Sequence, residues 1–175
     1  DPAALKHGHG IVLIRTSTGV GSGGDAPYNE NYVIRDNWIH DNEKSGIYVG
    51  PMNRGHQITG NVIEGNGDLG GAYGVWDGIR VDLTGQYHAS KPEHEQLGAA
   101  SDLTVYGNSL ADNGGYAIHV VGTPTNDFLL DASVNWYGSA DPADVNPQVA
   151  GAADYTPWLG SGDTDGDPTN GFQLD

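Results

Sequence analysis

An all-β chain, stacked as a parallel solenoid of about four to five coils, is the fold class the sequence predicts. Three observations carry that prediction. First, three nine-residue stretches superpose without gaps: Ile34–Asn42, Ile58–Asn66 and Val105–Asn113. Each places an aliphatic residue, an Asn three positions on, an aliphatic two after that and a second Asn three further on. Second, a short motif recurs as Gly10-Ile11-Val12-Leu13, Gly46-Ile47-Tyr48-Val49, Gly78-Ile79-Arg80-Val81 and Ala117-Ile118-His119-Val120, at spacings of 36, 32 and 39 residues. Third, the apolar period is two, the period of a strand with one buried face, and no stretch sustains the 3.6 period of a helix.

The elements follow in order. Each Ile-x-Val/Leu motif is a short strand whose flanking aliphatics point inward and whose middle residue points outward. Short similar strands that recur every thirty-odd residues stack coil on coil, and their aliphatics then form ladders down a narrow core. The corners between them require residues that tolerate the left-handed region, which Asn and Gly supply at least cost. Asn37, Asn61 and Asn108 are one expected side-chain ladder, and Asn42, Asn66 and Asn113 a second. Residues 1–7 and 139–160 are the expected caps.

Composition fits such a chain. Leu, Ile, Val and Phe together number 35 of 175 residues and Gly 28, a thin apolar content that borders on the disordered range unless it is placed regularly. Cysteine is absent, which excludes disulfides, thiolate metal sites and Cys nucleophiles. The longest aliphatic run is Ile11–Ile14, far short of the roughly 18 residues of a membrane-spanning helix, so membrane insertion is not expected. Net charge is −16, and all seven Lys and Arg lie at or before Lys91, leaving residues 92–175 at −13. Nucleic acid, which needs a basic face, is not an expected partner. The start at Asp1-Pro2, without a basic and apolar leader, reads as a mature product or a segment of a longer protein.

The repeat resembles that of the right-handed parallel β-helix proteins of the pectate-lyase-like superfamily. Asn135-Trp136-Tyr137-Gly138 followed by Tyr155-Thr156-Pro157-Trp158-Leu159 also resembles the closing segment of β-helix repeat proteins on bacterial surfaces. The resemblance implies one β-helix domain over residues 1–160, closed by 135–160, with 161–175 as an acidic tail or linker. It implies an extracellular or cell-surface location and a polysaccharide or cell-surface glycan as partner, with adjoining domains or self-association through exposed coil ends. Activity is left open by it, since the superfamily includes lyases, hydrolases and catalytically silent modules.

Stacking the short motifs aligns Val12, Tyr48, Arg80 and His119 in an outward row, with His9, Ser45, Asp77 and Tyr116 flanking it. The third coil is the most charged, with Asp77, Arg80 and Asp82. It is bracketed by two departures from the repeat: residues 67–76, which include Tyr73 and Trp76, and residues 84–101, which include Tyr87, His88, Lys91, Glu93, His94 and Glu95. Such excursions commonly build binding faces. Rings stack on sugars and charged groups hold their hydroxyls or carboxylates, so Tyr48, Arg80, His119, Trp76, Tyr116 and His88 are the expected carbohydrate ligands. The alternative for Arg80 is a surface ion pair with Asp77 or Asp82.

Three other readings stand beside carbohydrate binding. In a polysaccharide lyase, Arg80 would neutralise a uronate, His119 or Lys91 would act as base and Tyr48 as acid. In a glycoside hydrolase the two carboxylates would be Asp77 and Asp82, whose odd spacing starts them on opposite faces unless the turn at Gly78 intervenes. A purely structural spacer of a larger adhesin is the third. His7-Gly8-His9 has the spacing of a metal pair but no evident third ligand, and reads as two surface histidines. Asp163, Asp165 and Asp167 alternate in a Gly-containing turn and resemble extracellular calcium repeats, which makes Ca2+ a possible cofactor. The loop lacks a closing Glu and is interrupted by Pro168, so a solvated acidic linker is its alternative.

Overall fold

The structure, a computed structural model, describes residues 8–14, 29–50, 53–67, 76–83, 102–124 and 128–162. Strand after strand in it is two to four residues long, and all named pairings are parallel. Such short strands are what single Ile-x-Val units between Gly and Asn corners can form.

The main sheet contains β1 (Ile11–Leu13), β5 (Ile47–Val49), β9 (Ile79–Asp82), β11 (Ile118–Val121) and β13 (Val149–Ala150), in that spatial order. A second five-stranded sheet runs β14 (Ala153–Asp154), β12 (Leu130–Asp131), β10 (Thr104–Tyr106), β7 (Gln57–Thr59) and β3 (Val33–Arg35). Two pairs complete the framework: β2 (Asn29–Glu30) with β6 (Asn53–Arg54), and β4 (Trp38–His40) with β8 (Val62–Glu64). Bridges from Val62 to Ser109 and from Ser109 to Trp136 extend the last pair. One short helix, α1 (Pro142–Val145), is capped by Asp141, whose side chain accepts from Ala143 N, and runs into a 3-10 turn over Asn146–Gln148. The described residues are thus all-β with parallel sheets, and among them there are one short helix and no closed barrel. It returns to each sheet once per repeat, an order compatible with a solenoid.

The core lies between the sheets. Ile47, Ile79 and Ile118 are in direct register on the main sheet, as are Ile34, Ile58 and Val105 on the second, and all but Ile34 are fully buried. Each such side chain contributes about 1.5–3 kcal/mol of burial energy. Both expected Asn ladders form. Asn61 Oδ1 accepts from the N and Nδ2 of Asn37, and Asn108 Oδ1 accepts from those of Asn61. A fourth member, Asn135, extends this ladder beyond the expectation. Asn42, Asn66 and Asn113 repeat the pattern. The residue before each ladder Asn is left-handed: Asp36, Gly60, Gly107 and Val134 in the first ladder, Asp41, Gly65 and Asp112 in the second.

Residues 139–160, expected to cap the core, place fully buried Val145 against it and add β13 and β14 to the edges of the two large sheets. The other expected cap, residues 1–7, and the tail from residue 163 lie outside the described residues.

Candidate ligand-binding site

The main sheet carries the candidate site. Inward Ile and Val on either side force Val12, Tyr48, Arg80 and His119 to the outer surface, and the register aligns them one above another, with Ala150 last. The outward row read from the sequence is therefore the row in the structure. Tyr48 donates its hydroxyl to Asp82 Oδ2 at 3.1 Å, since Asp82, two residues after Arg80, shares the outer face.

Asp77 precedes the strand at the turn of Gly78, and the turn does intervene. The Asp77 carboxylate reaches the same outer row: Oδ2 is 3.0 Å from Arg80 NH1 and 3.1 Å from His119 Nδ1. Its Oδ1 accepts the backbone N–H of Tyr116 at 3.1 Å. Being 2% exposed, Asp77 is the buried anchor of the face and not a surface carboxylate. Arg80 is accordingly paired, and its partner is Asp77 rather than Asp82.

Rings complete the face. The Arg80 guanidinium carbon lies 5.1 Å from the centroid of Trp76, and Lys44 Nζ lies 5.2 Å from the same ring. His9 meets Trp76 edge-on at 5.1 Å and tilts against Tyr48 at 5.0 Å. Tyr116 meets His119 edge-on at 4.7 Å. Burial holds the His9 imidazole below its ordinary pKa, and the charge of Lys44 adds to the shift. Its Nδ1 is buried without a hydrogen-bond partner among the described residues.

The structure thus brings together Tyr48, Trp76, Asp77, Arg80, Asp82, Tyr116 and His119. His88 and Lys91, and the proposed calcium residues Asp163, Asp165 and Asp167, lie outside the described residues, as does His7. Among the described residues no three metal-ligating side chains converge. One contributor was missed in the sequence: Lys44, which lies over Trp76, whereas His9 flanks the row as its place before Gly10 suggests. Register would have found Lys44: Ile47 pairs with Ile79, so Lys44 and Trp76, each three residues earlier, are neighbours. A separate aromatic patch lies on β4 and β8, where Trp38, 66% exposed, donates Nε1–H to Glu64 at 2.8 Å and stacks on His40.

Fold and site together define an all-β protein of stacked parallel sheets with an aromatic, ion-paired face. No protein-family model, curated protein or solved structure matches the chain, so the face is judged on its own chemistry.

Proposed function

We propose that residues 1–160 form a right-handed parallel β-helix module, displayed outside the cell, that binds a polysaccharide across the outer face of the main sheet. Residues 161–175 serve as an acidic linker. The observation that carries this reading is the in-register row Tyr48, Arg80 and His119, flanked by Trp76, Tyr116 and His9. Aromatic side chains supply stacking surfaces for sugar rings, and Arg80, Lys44 and Asp82 supply donors and acceptors for hydroxyls. A row of outward side chains that runs from strand to strand across the sheet suits an extended chain.

A glycan array identifies the sugar, and affinity electrophoresis on the polysaccharide that binds tests the face. Tyr48→Ala and Trp76→Ala each weaken binding about tenfold, the loss expected for one stacking platform. Trp38→Ala, on the separate patch, leaves it unchanged. If Tyr48→Ala and Trp76→Ala bind like the parent, the face is wrong. An ultraviolet assay for unsaturated uronate on the same polysaccharide tests the lyase alternative.

A further inference from the structure

Recognition alone does not require the way His119 is held. Its Nδ1 lies 3.1 Å from Asp77 Oδ2 and 3.3 Å from Arg80 NH1. An ionised carboxylate only accepts and a guanidinium only donates, so Nδ1 can satisfy one of them. Arg80 NH1 already has Asp77 Oδ2 at 3.0 Å, and the carboxylate is the nearer partner of the imidazole. An N–H directed at a carboxylate is also charge-assisted. This assigns the proton of the neutral ring to Nδ1 and its lone pair to Nε2. Nε2 has no partner among the described residues and is not among their buried, unpaired atoms. With the side chain 26% exposed, that lone pair opens onto the binding face.

We propose that Asp77 and His119 form an oriented carboxylate–imidazole base and that this site hydrolyses O-acyl esters carried by the bound polysaccharide. The substrate rests on the polysaccharide-binding reading; the base does not. His119 Nε2 takes a proton from water as the water oxygen bonds to the acyl carbon, and the carbonyl electron pair moves onto its oxygen. The tetrahedral intermediate then re-forms the carbonyl and breaks the bond to the sugar oxygen. That oxygen takes the proton back from Nε2, giving a free sugar hydroxyl and a carboxylic acid, with one water consumed.

Arg80 faces the oxyanion. Its NH1 is committed to Asp77, while Nε and NH2 have no hydrogen-bond acceptor among the described residues, and Trp76 lies against the guanidinium. Ester hydrolysis fits because one imidazole both takes and returns the proton. Cleavage of a glycosidic bond calls instead for two ligand-facing carboxylates, and Asp77 is buried beneath the face. Asp77 is therefore a positioning residue, acting through His119.

Nitrogen-15 NMR of the imidazole at about pH 8, above the ordinary His pKa, tests the base without any substrate. The expected state of the parent is protonated Nδ1 and unprotonated Nε2. Asp77→Asn, whose amide can donate, inverts it. A parent with the lone pair on Nδ1 overturns the proposal whether or not any variant folds. Hydrolysis is read with 4-nitrophenyl acetate and with acetylated xylan. His119→Gln lowers both rates about a hundredfold or more, in the range of general-base catalysis. Asp77→Asn lowers kcat with little change in KM, the split expected of a positioning residue. Equal rates for parent and His119→Gln overturn the proposal. Binding to the xylan is measured separately on the same proteins. Binding without His119-dependent acid release sinks the esterase and spares the binding module. His119-dependent hydrolysis of the small ester by a protein that binds neither the xylan nor any sugar on the glycan array does the reverse, upholding the base and sinking the polysaccharide reading.

Discussion

Asn108 shows how much one side chain can hold. Its Oδ1 accepts from Asn61 N and Nδ2, both at 3.0 Å. Its Nδ2 is directed at Ile58 O, Tyr106 O and Asn135 Oδ1, at 2.9 to 3.0 Å. The residue is fully buried, so removing it strands polar groups that water cannot reach, at about 1–3 kcal/mol each. Asn108→Ala is expected to cost about 3 kcal/mol or more, read as the urea midpoint times the slope. Asn37→Ala, at the partly exposed end of the same ladder, costs about 1 kcal/mol because it strands less. Equal losses at the two positions would show that the ladder is decoration. The neighbouring left-handed column carries the opposite lesson. Asp36, Gly60 and Gly107 suit φ near +60°, but Val134 holds φ 57° with a β-branched side chain that is 42% exposed. Val134→Gly is expected to raise stability by about 1 kcal/mol, since relief of the left-handed strain outweighs the little burial lost; a lower melting temperature refutes this.

At the scale of the strand, the glycines before β1, β5 and β9 explain why the repeat is spelled as it is. A Cβ on Gly78 would lie 2.7 Å from Asn113 Nδ2 and 2.8 Å from Ala117 O. On Gly46 it would lie 2.7 Å from Ile63 Cγ2 and 2.9 Å from Asn66 Nδ2. The column of glycines is thus the space that the second Asn ladder occupies. One repeat further the ladder ends, since the position after Trp136 equivalent to Asn113 is Ala140, and there Ala117 replaces Gly. Gly78→Ala is expected to lose about 1–3 kcal/mol by overpacking and to disturb Asp77 beside it. Unchanged stability and unchanged near-ultraviolet dichroism of Trp76 would contradict that. The main sheet, both ladders and the outward row were legible because each is a property of one motif repeated. What escaped was contact between elements. Asp77 is a turn residue, so alternation along its own strand does not say that the carboxylate paired with Arg80 also reaches His119. Asn135 was hidden as a ladder member because the repeat degenerates around it, with Ala132 three residues before where the other members have Ile or Val. His9 was legible as a flanking residue, because it stands before Gly10 as Asp77 stands before Gly78.

For the whole molecule the question is how a chain of net charge −16 keeps its sheets together as pH changes. His56 gives one answer. It is fully buried, accepts the Tyr32 N–H at Nδ1 at 3.0 Å and faces Asn53 Oδ1 with Nε2 at 3.0 Å. Asn53 in turn donates to Leu13 O and Gly50 O, so the imidazole ties the second sheet to the main one. Only the neutral ring with its proton on Nε2 satisfies both neighbours, and burial holds its pKa below the ordinary 6.5. His9 is shifted the same way. As pH falls through about 6.5 the unfolded chain takes up protons that the folded one refuses, so stability is full above that value and declines below it. The carboxylates push the other way, because protonating them relieves self-repulsion, but at ordinary carboxylate pKa values that relief comes mainly below about pH 5. Salt separates the two effects. At about 0.5 M NaCl, where screening reaches only a few Å, repulsion between surface carboxylates is largely removed while a buried imidazole is little affected. Urea midpoints measured between about pH 7.5 and 5.5 are therefore expected to fall with pH in both low and high salt. His56→Gln, which keeps an acceptor for Tyr32 and a donor for Asn53 without titrating, flattens that slope in part, with His9 supplying the remainder. A slope as steep in His56→Gln as in the parent would remove His56 from the account, and a slope present only in low salt would assign it to surface charge instead.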